Sequence, residues 1–276
     1  MTESSNLVKA TQEYYDSHEA DQFYYKIWGG EDIHVGIYNL NNTSIFAASK
    51  TTVGTMGQML DITPNTHILD IGSGYGGAAR QLVRKYGCKV TCLNLSQVEN
   101  ERNRSKNEEE KLSHLITVQE GNFEELPFND ATFDVVWSED AILHSGNKPQ
   151  VFAEVQRVLK SGGEFIFTDP MQSDDCPEGV LDNVLARVYL EALGSVKLYR
   201  ALAKENNLKE KQVIEMPEQL ITHYTKVLAE LNRSYESIIE ASNKTYIDQM
   251  KNNLEHWIEA GKNKHLNWGI LHFSKV

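Results

Sequence analysis

The middle of this 276-residue chain predicts an α/β fold: a doubly wound, mostly parallel sheet with helical cap insertions near its carboxyl edge. Short apolar runs alternate there with stretches of helical periodicity, which is the order expected of parallel strands joined by crossover helices. A glycine-rich turn follows the first apolar run and opens the next helical stretch. Beyond residue 174 the alternation gives way to long helical patterns, which predict a cap.

The core elements follow one another from residue 67 to residue 168. Strands are predicted at residues 67–71, 88–93, 115–119, 133–138 and 164–168. Helices are predicted between them at residues 76–86, 96–111 and 148–160. Gly162 and Gly163 supply the glycines that end a helix and start a strand.

The flanks of this core are mainly helical in pattern. Residues 178–205 and 218–260 predict helical insertions, with a short strand at 212–216 and a last strand at 266–273. Insertions beside one sheet edge predict a cap over the carboxyl ends of the strands, where open α/β sheets bind ligands. We therefore divide the chain into three parts. Residues 1–60 form a helical, aromatic cap segment, residues 61–174 form the cofactor-binding core, and residues 175–276 contain the cap insertions and the last sheet strands.

The composition and charge of the chain limit the classes of partner that it can bind. The formal charge of −12 argues against nucleic acid and anionic membranes, because both repel an acidic surface. No apolar run is long enough to span a bilayer, and residues 1–16 lack the apolar run of a secretory signal. Cys88, Cys92 and Cys176 are too few for a disulfide framework and have no partner pair for zinc, so we expect packing cysteines in the cytoplasm and no metal. The expected partner is a small molecule, and a homodimer is allowed.

The strongest motif is the turn Asp-Ile-Gly-Ser-Gly-Tyr-Gly-Gly at residues 70–77. Its glycines permit positive φ and close approach of a ligand to the backbone. It lacks the Gly-Lys-Ser/Thr ending of a P-loop. Asp70 at its entrance would repel a pyrophosphate and attract the ammonium of an amino acid. A ligand with an amino-acid end and an adenosine end fits, and S-adenosylmethionine has both. Asn94 stands where a ribose-binding group is expected, as an amide instead of an acid.

Three stretches resemble the Rossmann-like methyltransferase superfamily: residues 70–77, 121–128 and 155–163. In that superfamily the position of Asn122 is commonly an aspartate that contacts the adenine amino group, while Phe123 packs nearby. The resemblance implies S-adenosylmethionine as cofactor and the following contacts: Asp70, Gly72, Ser73, Gly74, Gly76, Asn94, Leu95, Asn122, Phe123 and Ser138.

The flanks resemble a narrower group. Six of the fifteen residues from Tyr14 to Trp28 are aromatic, against 9% for the whole chain. The run at 23–38, the stretch at 136–145 and the pair at 268–269 look like sarcosine/dimethylglycine N-methyltransferases, the enzymes that finish glycine betaine synthesis. The resemblance implies in-line transfer of a methyl group from a sulfonium to an amine, which mainly requires alignment and exclusion of water.

Four residues are candidates for the catalytic site. Aromatic faces stabilise a quaternary ammonium product, so Tyr25 and Trp28 are assigned to the reacting methyl group, although packing of a terminal helix is the alternative for each. His144 follows the fourth strand and is suited to take the proton from a secondary amine such as sarcosine. Asp140 is a partner for His144 or for the substrate nitrogen.

The acceptor carboxylate calls for a cation. Arg187, Lys197 and Arg200 in the first helical insertion are the nearest candidates by topology, although each alone is more often a solvated helix charge. Met171, just beyond the fifth strand, is added as a substrate contact.

Two other functions stay open. Tocopherol-, sterol- and phosphoethanolamine-type methyltransferases share the core, but the charged cap segments favour a small polar acceptor. A non-catalytic protein that binds S-adenosylmethionine is the second alternative, and the intact Asp70, Gly72 and Gly74 argue against it.

Overall fold

The computed structural model describes residues 3–40, 43–188, 190 and 192–276, except for the side chains of residues 3–6 and 187–188. It contains a seven-stranded sheet with the strands β1 (His67–Ile71), β2 (Lys89–Asn94), β3 (Ile116–Glu120), β4 (Phe133–Glu139), β5 (Leu159–Gln172), β6 (Leu208–Glu215) and β7 (Leu266–Lys275). Their order is β3-β2-β1-β4-β5-β7-β6, and β7 alone runs opposite to the other six strands. The predicted fold class is confirmed.

The sheet order creates a crevice at one edge. From β1 the chain builds outwards to β2 and β3, and then returns to place β4 on the other side of β1. The connections that follow β1 and β4 therefore diverge, and open α/β sheets bind ligands at such a switch point. The glycine turn at 70–77 and the residues after Glu139 meet there.

Helices cover both faces and the carboxyl edge of the sheet. They are α1 (Glu3–Tyr15), α2 (His18–Ile27), α3 (Ile45–Gln58), α4 (Gly77–Tyr86), α5 (Gln97–Glu109), α6 (Lys148–Val158), α7 (Asp182–Val188), α8 (Val196–Glu205), α9 (Pro217–Arg233), α10 (Tyr235–Ala241) and α11 (Lys244–Lys262), with a 3-10 turn at Ile142–His144. Apolar side chains of α3 and α4 pack on one face, and those of α6 and α8 on the other. Residues of α2, α7, α9, α10 and α11 form a third core, the cap.

Two helix starts shape the site. Gly76, with φ of 76°, precedes α4, so the glycine turn leads directly into that helix. At the start of α5 the Ser96 hydroxyl accepts a hydrogen bond from the Glu99 N–H at 3.1 Å. This cap orders the first turn of α5 and fixes Glu99 next to the end of β2.

The first helical insertion differs from the prediction. Helix α8 does not join the cap, because its apolar side chains Val196, Tyr199 and Leu202 pack on the sheet face with Phe152. The Tyr199 and Phe152 rings stack with centroids 5.7 Å apart. The predicted helix at 148–160 also ends earlier, because Leu159 already belongs to β5. Among the described residues, no helix is long and apolar enough to cross a membrane.

Candidate functional site

Two adjoining pockets open at the crevice between β1 and β4. The first, here called the loop pocket, is bordered by the glycine turn, the ends of β2 and β4, and the turn after β3. The second, here called the aromatic pocket, lies beneath the cap. Five residues line both pockets and define what we call the junction: Thr11, Tyr15, Ile33, Asp140 and His144.

Two glycines form the floor of the loop pocket. Gly72 has φ of 80°, and its N–H donates to the Leu93 carbonyl at 2.8 Å, which ties the turn to β2. A Cβ atom at Gly72 would overlap the side chain of Ala141 in the connection after β4. Gly74 has φ of 49° and faces Ile33. The close approach of backbone and ligand that the motif predicts is therefore built into the turn.

Six of the predicted cofactor contacts line the loop pocket: Gly72, Gly74, Asn94, Leu95, Asn122 and Phe123. Asp70, Ser73, Gly76 and Ser138 do not line it. The Ser138 hydroxyl donates to the Ile71 carbonyl at 2.8 Å and so joins β4 to β1. At Gly76 the missing Cβ leaves room for the Asn103 side chain.

An acid that the sequence prediction missed stands beside Asn94. The Asn94 amide donates from Nδ2 to Glu99 Oε2 at 2.7 Å, and both residues are buried in the wall of the loop pocket. Burial raises the pKa of Glu99 to about 7, although the hydrogen bond from Asn94 favours the charged form. The acid expected at the end of β2 thus comes from the first turn of α5. The Ser96-x-x-Glu99 spacing, which is that of a capping box, is the available signal.

The turn after β3 closes the far end of the loop pocket. Asn122 Oδ1 accepts the Glu124 N–H at 2.9 Å. The Glu124 carboxylate in turn accepts from the Ser145 hydroxyl at 2.6 Å and from the Asn147 N–H at 3.2 Å. These bonds hold the β3 and β4 connections together across the pocket.

Asp140 connects the junction to the rest of the fold. It has φ of 51°, which is strained for a residue other than glycine. Its carboxylate accepts the Val35 N–H at 2.6 Å and the Trp268 Nε1–H at 2.8 Å. Burial raises the pKa of Asp140, and these donors and nearby His34 oppose that effect. The strained backbone thus aims a fixed carboxylate between the two pockets.

A buried charge cluster lies next to the junction. Burial by itself would lower the pKa of His34, but Glu139 at 3.5 Å and Asp32 at 3.8 Å reverse this and raise it to about 10. Lys50 approaches Asp32 at 2.9 Å. Asp70 is buried nearby, and burial together with Glu139 raises its pKa well above its usual range. His34 is therefore a buried cation at neutral pH, held among carboxylates.

His144 is paired with a tyrosine at the junction. The Tyr15 hydroxyl and His144 Nε2 lie 2.9 Å apart, and the two rings meet edge to face at 5.5 Å. Tyr25 does not reach either pocket, because its ring stacks on the guanidinium of Arg102 at 4.3 Å. Trp28 lines the aromatic pocket but not the junction. Of these three aromatic residues, Tyr15 lines both pockets, Trp28 lines only the aromatic pocket, and Tyr25 lines neither.

The end of the aromatic pocket away from the junction is walled by rings. Trp28 contacts Tyr24 and Tyr224 with ring centroids 5.5 Å apart in each case, and Tyr224 meets Trp257 at 5.3 Å. The indole N–H groups of Trp28 and Trp257 are buried and have no acceptor in the described structure. None of the described lining residues is lysine or arginine.

Of the predicted substrate cations, neither Lys197 nor Arg200 lines this pocket. Arg200 lies on the exposed face of α8 and pairs with Glu210 at 2.7 Å. Lys197 is exposed on the same helix, and the side chain of Arg187 lies outside the described residues. Met171 is fully buried opposite Asn267 of β7, while its neighbour Pro170 lines the aromatic pocket.

Several lining residues had no sequence signal. Tyr224 and Trp257 sit at core-like positions of α9 and α11, and their spacing resembles ordinary helix packing. Val8 and Thr11 come from α1, which covers the loop pocket; the Gln12 amide donates to the Leu95 carbonyl at 3.1 Å. Only the assembled cap shows that these residues face a cavity.

Comparison with known proteins agrees with this geometry. A family model described as a methyltransferase domain matches residues 69–167. Over all 276 residues the chain is 50% identical to a sarcosine/dimethylglycine N-methyltransferase from Aphanothece halophytica, and the alignment covers 100% of both chains. The crystal structure of a putative sarcosine dimethylglycine methyltransferase from Galdieria sulphuraria superposes with a TM-score of 0.89 at 41% identity, covering 95% of this chain and 98% of that one.

A more distant structure shares the fold alone. It is phosphoethanolamine N-methyltransferase 2 from Haemonchus contortus in complex with S-adenosyl-L-methionine, with a TM-score of 0.81 and 18% identity. The match covers 96% of this chain and 59% of that chain.

Proposed function

Because this chain belongs to the sarcosine/dimethylglycine N-methyltransferase family, we propose that it methylates sarcosine and dimethylglycine at nitrogen, with S-adenosylmethionine as methyl donor and glycine betaine as final product. One observation carries the mechanism. A pocket that fits the cofactor and a pocket walled by aromatic rings share the five residues of the junction. A cofactor held in the loop pocket would present its methyl group to the acceptor at this junction.

The loop pocket has groups for each part of the cofactor. Gly72 and Gly74 leave room for the methionine portion against the backbone. Asn94 and Glu99 together offer acceptors to the two ribose hydroxyls, which replaces the single acid common in the superfamily. Asn122 and Phe123 border the position of the adenine. Carboxylates of Glu139 and Asp140 near the junction favour the positive charge of the sulfonium.

Transfer itself requires alignment more than chemical assistance. The amine lone pair must approach the methyl carbon opposite the sulfur, and the closed aromatic wall keeps water away from the sulfonium. As the N–C bond forms and the C–S bond breaks, the positive charge passes from sulfur to nitrogen. The face of Tyr15 at the junction can stabilise that charge, since aromatic rings attract quaternary ammonium groups.

Sarcosine has a hydrogen on its nitrogen where dimethylglycine has a second methyl group. Methylation of its secondary amine leaves an N–H proton on the product, which must depart before the second transfer. His144 is placed to take that proton, and its hydrogen bond with the Tyr15 hydroxyl fixes the ring at the junction. Methylation of dimethylglycine leaves no N–H to remove, so His144 has no proton to accept in that step.

Other acceptors fit the pocket less well. A phosphoethanolamine would need cations for its phosphate, and none of the described lining residues is lysine or arginine. A sterol or tocopherol precursor would need a mostly apolar pocket, whereas this wall carries four tyrosines, a histidine and an aspartate. A binding protein without catalysis would have no need for an aromatic pocket joined to the cofactor.

A parallel acceptor screen tests the function. Purified protein with methyl-labelled S-adenosylmethionine is offered sarcosine, dimethylglycine, phosphoethanolamine and a tocopherol precursor. We expect labelled dimethylglycine and betaine from the first two and no transfer to the others. Transfer to either of the last two alone would refute the assignment.

The cytoplasm as location and a homodimer as quaternary state belong to the same proposal. Fractionation of cells followed by immunodetection tests the location. Light scattering on the eluting protein tests the dimer, for which twice the chain mass of 31.3 kDa is expected.

A further inference from the structure

The two pockets define how an amino-acid acceptor must lie. Its nitrogen has to be at the junction, because the methyl group arrives there. Asp140 also stands at the junction, and its carboxylate would repel the carboxylate of the acceptor. The acceptor carboxylate therefore points towards the opposite end of the aromatic pocket, between Trp28, Tyr224 and Trp257.

Among the described residues, that end offers hydrogen-bond donors but no lysine or arginine side chain. Trp28 and Trp257 are 4% and 1% exposed, and the indole N–H of each is buried without an acceptor in the described structure. A buried donor is normally satisfied, so two such donors in one pocket wall indicate a missing acceptor. The Tyr14 hydroxyl, in contrast, already pairs with the hydroxyls of Tyr24 and Tyr246 at 3.2 and 3.0 Å.

We propose that the indole N–H groups of Trp28 and Trp257 bind the carboxylate of the acceptor and so select amino-acid substrates. This inference rests on the proposed function. It gives Trp28 a different role from the one that the sequence suggests: its edge binds the carboxylate, while the methyl group is transferred elsewhere.

The charge balance of the reaction explains why neutral donors suffice. Before transfer the pocket holds a sulfonium cation and a carboxylate anion. After transfer it holds a quaternary ammonium and the same carboxylate, while the donor has become a neutral thioether. The positive charge that accompanies the carboxylate thus comes from the reactants. An arginine here would add a second cation close to the sulfonium and oppose cofactor binding.

The experiment compares two acceptors that differ only in charge. Dimethylglycine and N,N-dimethylglycinamide have the same tertiary amine, but the amide has no carboxylate. We measure kcat/KM for both acceptors with the wild type, Trp28→Phe and Trp257→Phe. For each protein we divide the value for dimethylglycine by the value for the amide and compare this ratio. Hydrogen bonds to charged groups are stronger than those to neutral ones, so we expect each substitution to lower the ratio about 10-fold or more.

Two further proteins separate donor loss from loss of packing. Benzothienylalanine at position 257 keeps the size of the indole and replaces N–H by sulfur, and we expect it to lower the ratio as Trp257→Phe does. Trp137→Phe is the matched control, because Trp137 donates to Glu139 at 3.1 Å and does not line the aromatic pocket. It should change both acceptors alike and leave the ratio unchanged.

The outcomes distinguish the two levels of the proposal. If the wild type methylates dimethylglycine but the ratio is the same in both pocket variants, the indole assignment is overturned and the function stands. If the wild type methylates the amide and not dimethylglycine, both fail. A ratio lowered in both pocket variants and in the benzothienylalanine protein, with Trp137→Phe unchanged, supports the assignment.

Discussion

The loop pocket and the aromatic pocket are neighbours but are built in different ways. Most of the loop pocket comes from short connections that directly follow β1, β2, β3 and β4, and each carries a recognisable motif. The aromatic pocket draws one to three residues at a time from α1, α2 and the segment after it, the connection after β4, and from β5, α9 and α11. A ligand with fixed shape can be bound by local turns. An acceptor site closed by rings exists only after the cap has packed.

The largest expected effect is a difference between turnover with sarcosine and turnover with dimethylglycine when His144 in the aromatic pocket is replaced. We expect His144→Gln to lower turnover with sarcosine by about 10²- to 10⁴-fold, the usual range for a lost general base. Turnover with dimethylglycine should fall much less, because methylation of its free amine leaves no N–H proton to remove. Initial rates with each acceptor at saturating cofactor test this.

Tyr15→Phe is the companion variant. It keeps the ring at the junction and removes the hydroxyl that pairs with His144. Its defect should also be larger for sarcosine than for dimethylglycine. Equal losses for both acceptors in both variants would mean that His144 positions the acceptor and does not accept a proton.

In the loop pocket, Gly72→Ala should weaken cofactor binding about 100-fold or more. The new Cβ would overlap Ala141, and φ of 80° is unfavourable for alanine. Gly162→Ala is the control, because Gly162 has φ of 75° with open space around its Cβ position. It carries the backbone strain of about 1 kcal/mol without the overlap. Calorimetric titration should show normal cofactor affinity in Gly162→Ala. If both variants bind the cofactor equally well, the overlap with Ala141 does not impair binding.

The same contrast explains what the sequence could predict. The glycine turn was predicted from its backbone requirements, Asn94 from its position after the second strand, and Asn122 and Phe123 from the resemblance to the methyltransferase superfamily. Gly72, Gly74 and these three residues line the loop pocket. Glu99 was missed because its role depends on the orientation of α5, although the capping pattern was visible.

Arg200 lies away from the pocket for a different reason. Arg200 was placed by topology in the cap, whereas the apolar side of α8 binds to the sheet and turns Arg200 to solvent. Tyr224 and Trp257 have the spacing of core residues, and nothing local distinguishes a ring that faces a cavity from one that faces another ring.

We expect the affinity of the loop pocket for the cofactor to depend on pH, with an effect of intermediate size. Burial raises the pKa of Glu99 to about 7 and that of Glu139 to about 7. Both carboxylates become neutral as the pH falls through that value, so acceptors for the ribose and negative charge near the sulfonium are lost together. For each carboxylate that must be charged, we expect cofactor affinity to fall about 10-fold from pH 8 to pH 6, since the ionised fraction falls about tenfold across that range.

Variants assign this pH effect to its groups. Glu99→Gln should remove part of the dependence, and the double variant with Glu139→Gln should remove nearly all of it. Binding is measured by calorimetry, which separates effects on cofactor affinity from effects on turnover. A steep dependence that survives in the double variant would place the titrating group elsewhere.

The smallest effect concerns Tyr25, the aromatic residue that the sequence assigned to catalysis. Its ring lies over the Arg102 guanidinium at 4.3 Å and meets Tyr75 edge to face at 5.8 Å, outside both pockets. Arg102 also binds the carboxylate of Asp21 at 2.6 Å, so this group joins α2 to α5. Tyr25→Leu should therefore cost about 0.5–1 kcal/mol of unfolding free energy, the value of an exposed cation–π contact, and change turnover with dimethylglycine less than about twofold.

Trp28→Leu is the matched variant at the end of the same helix. Its turnover should fall far more, since Trp28 lines the aromatic pocket. Chemical denaturation and initial rates on the two proteins decide the matter. A turnover loss in Tyr25→Leu as large as in Trp28→Leu would show that the whole aromatic segment acts on the acceptor, and that the division between packing and pocket drawn within it is wrong.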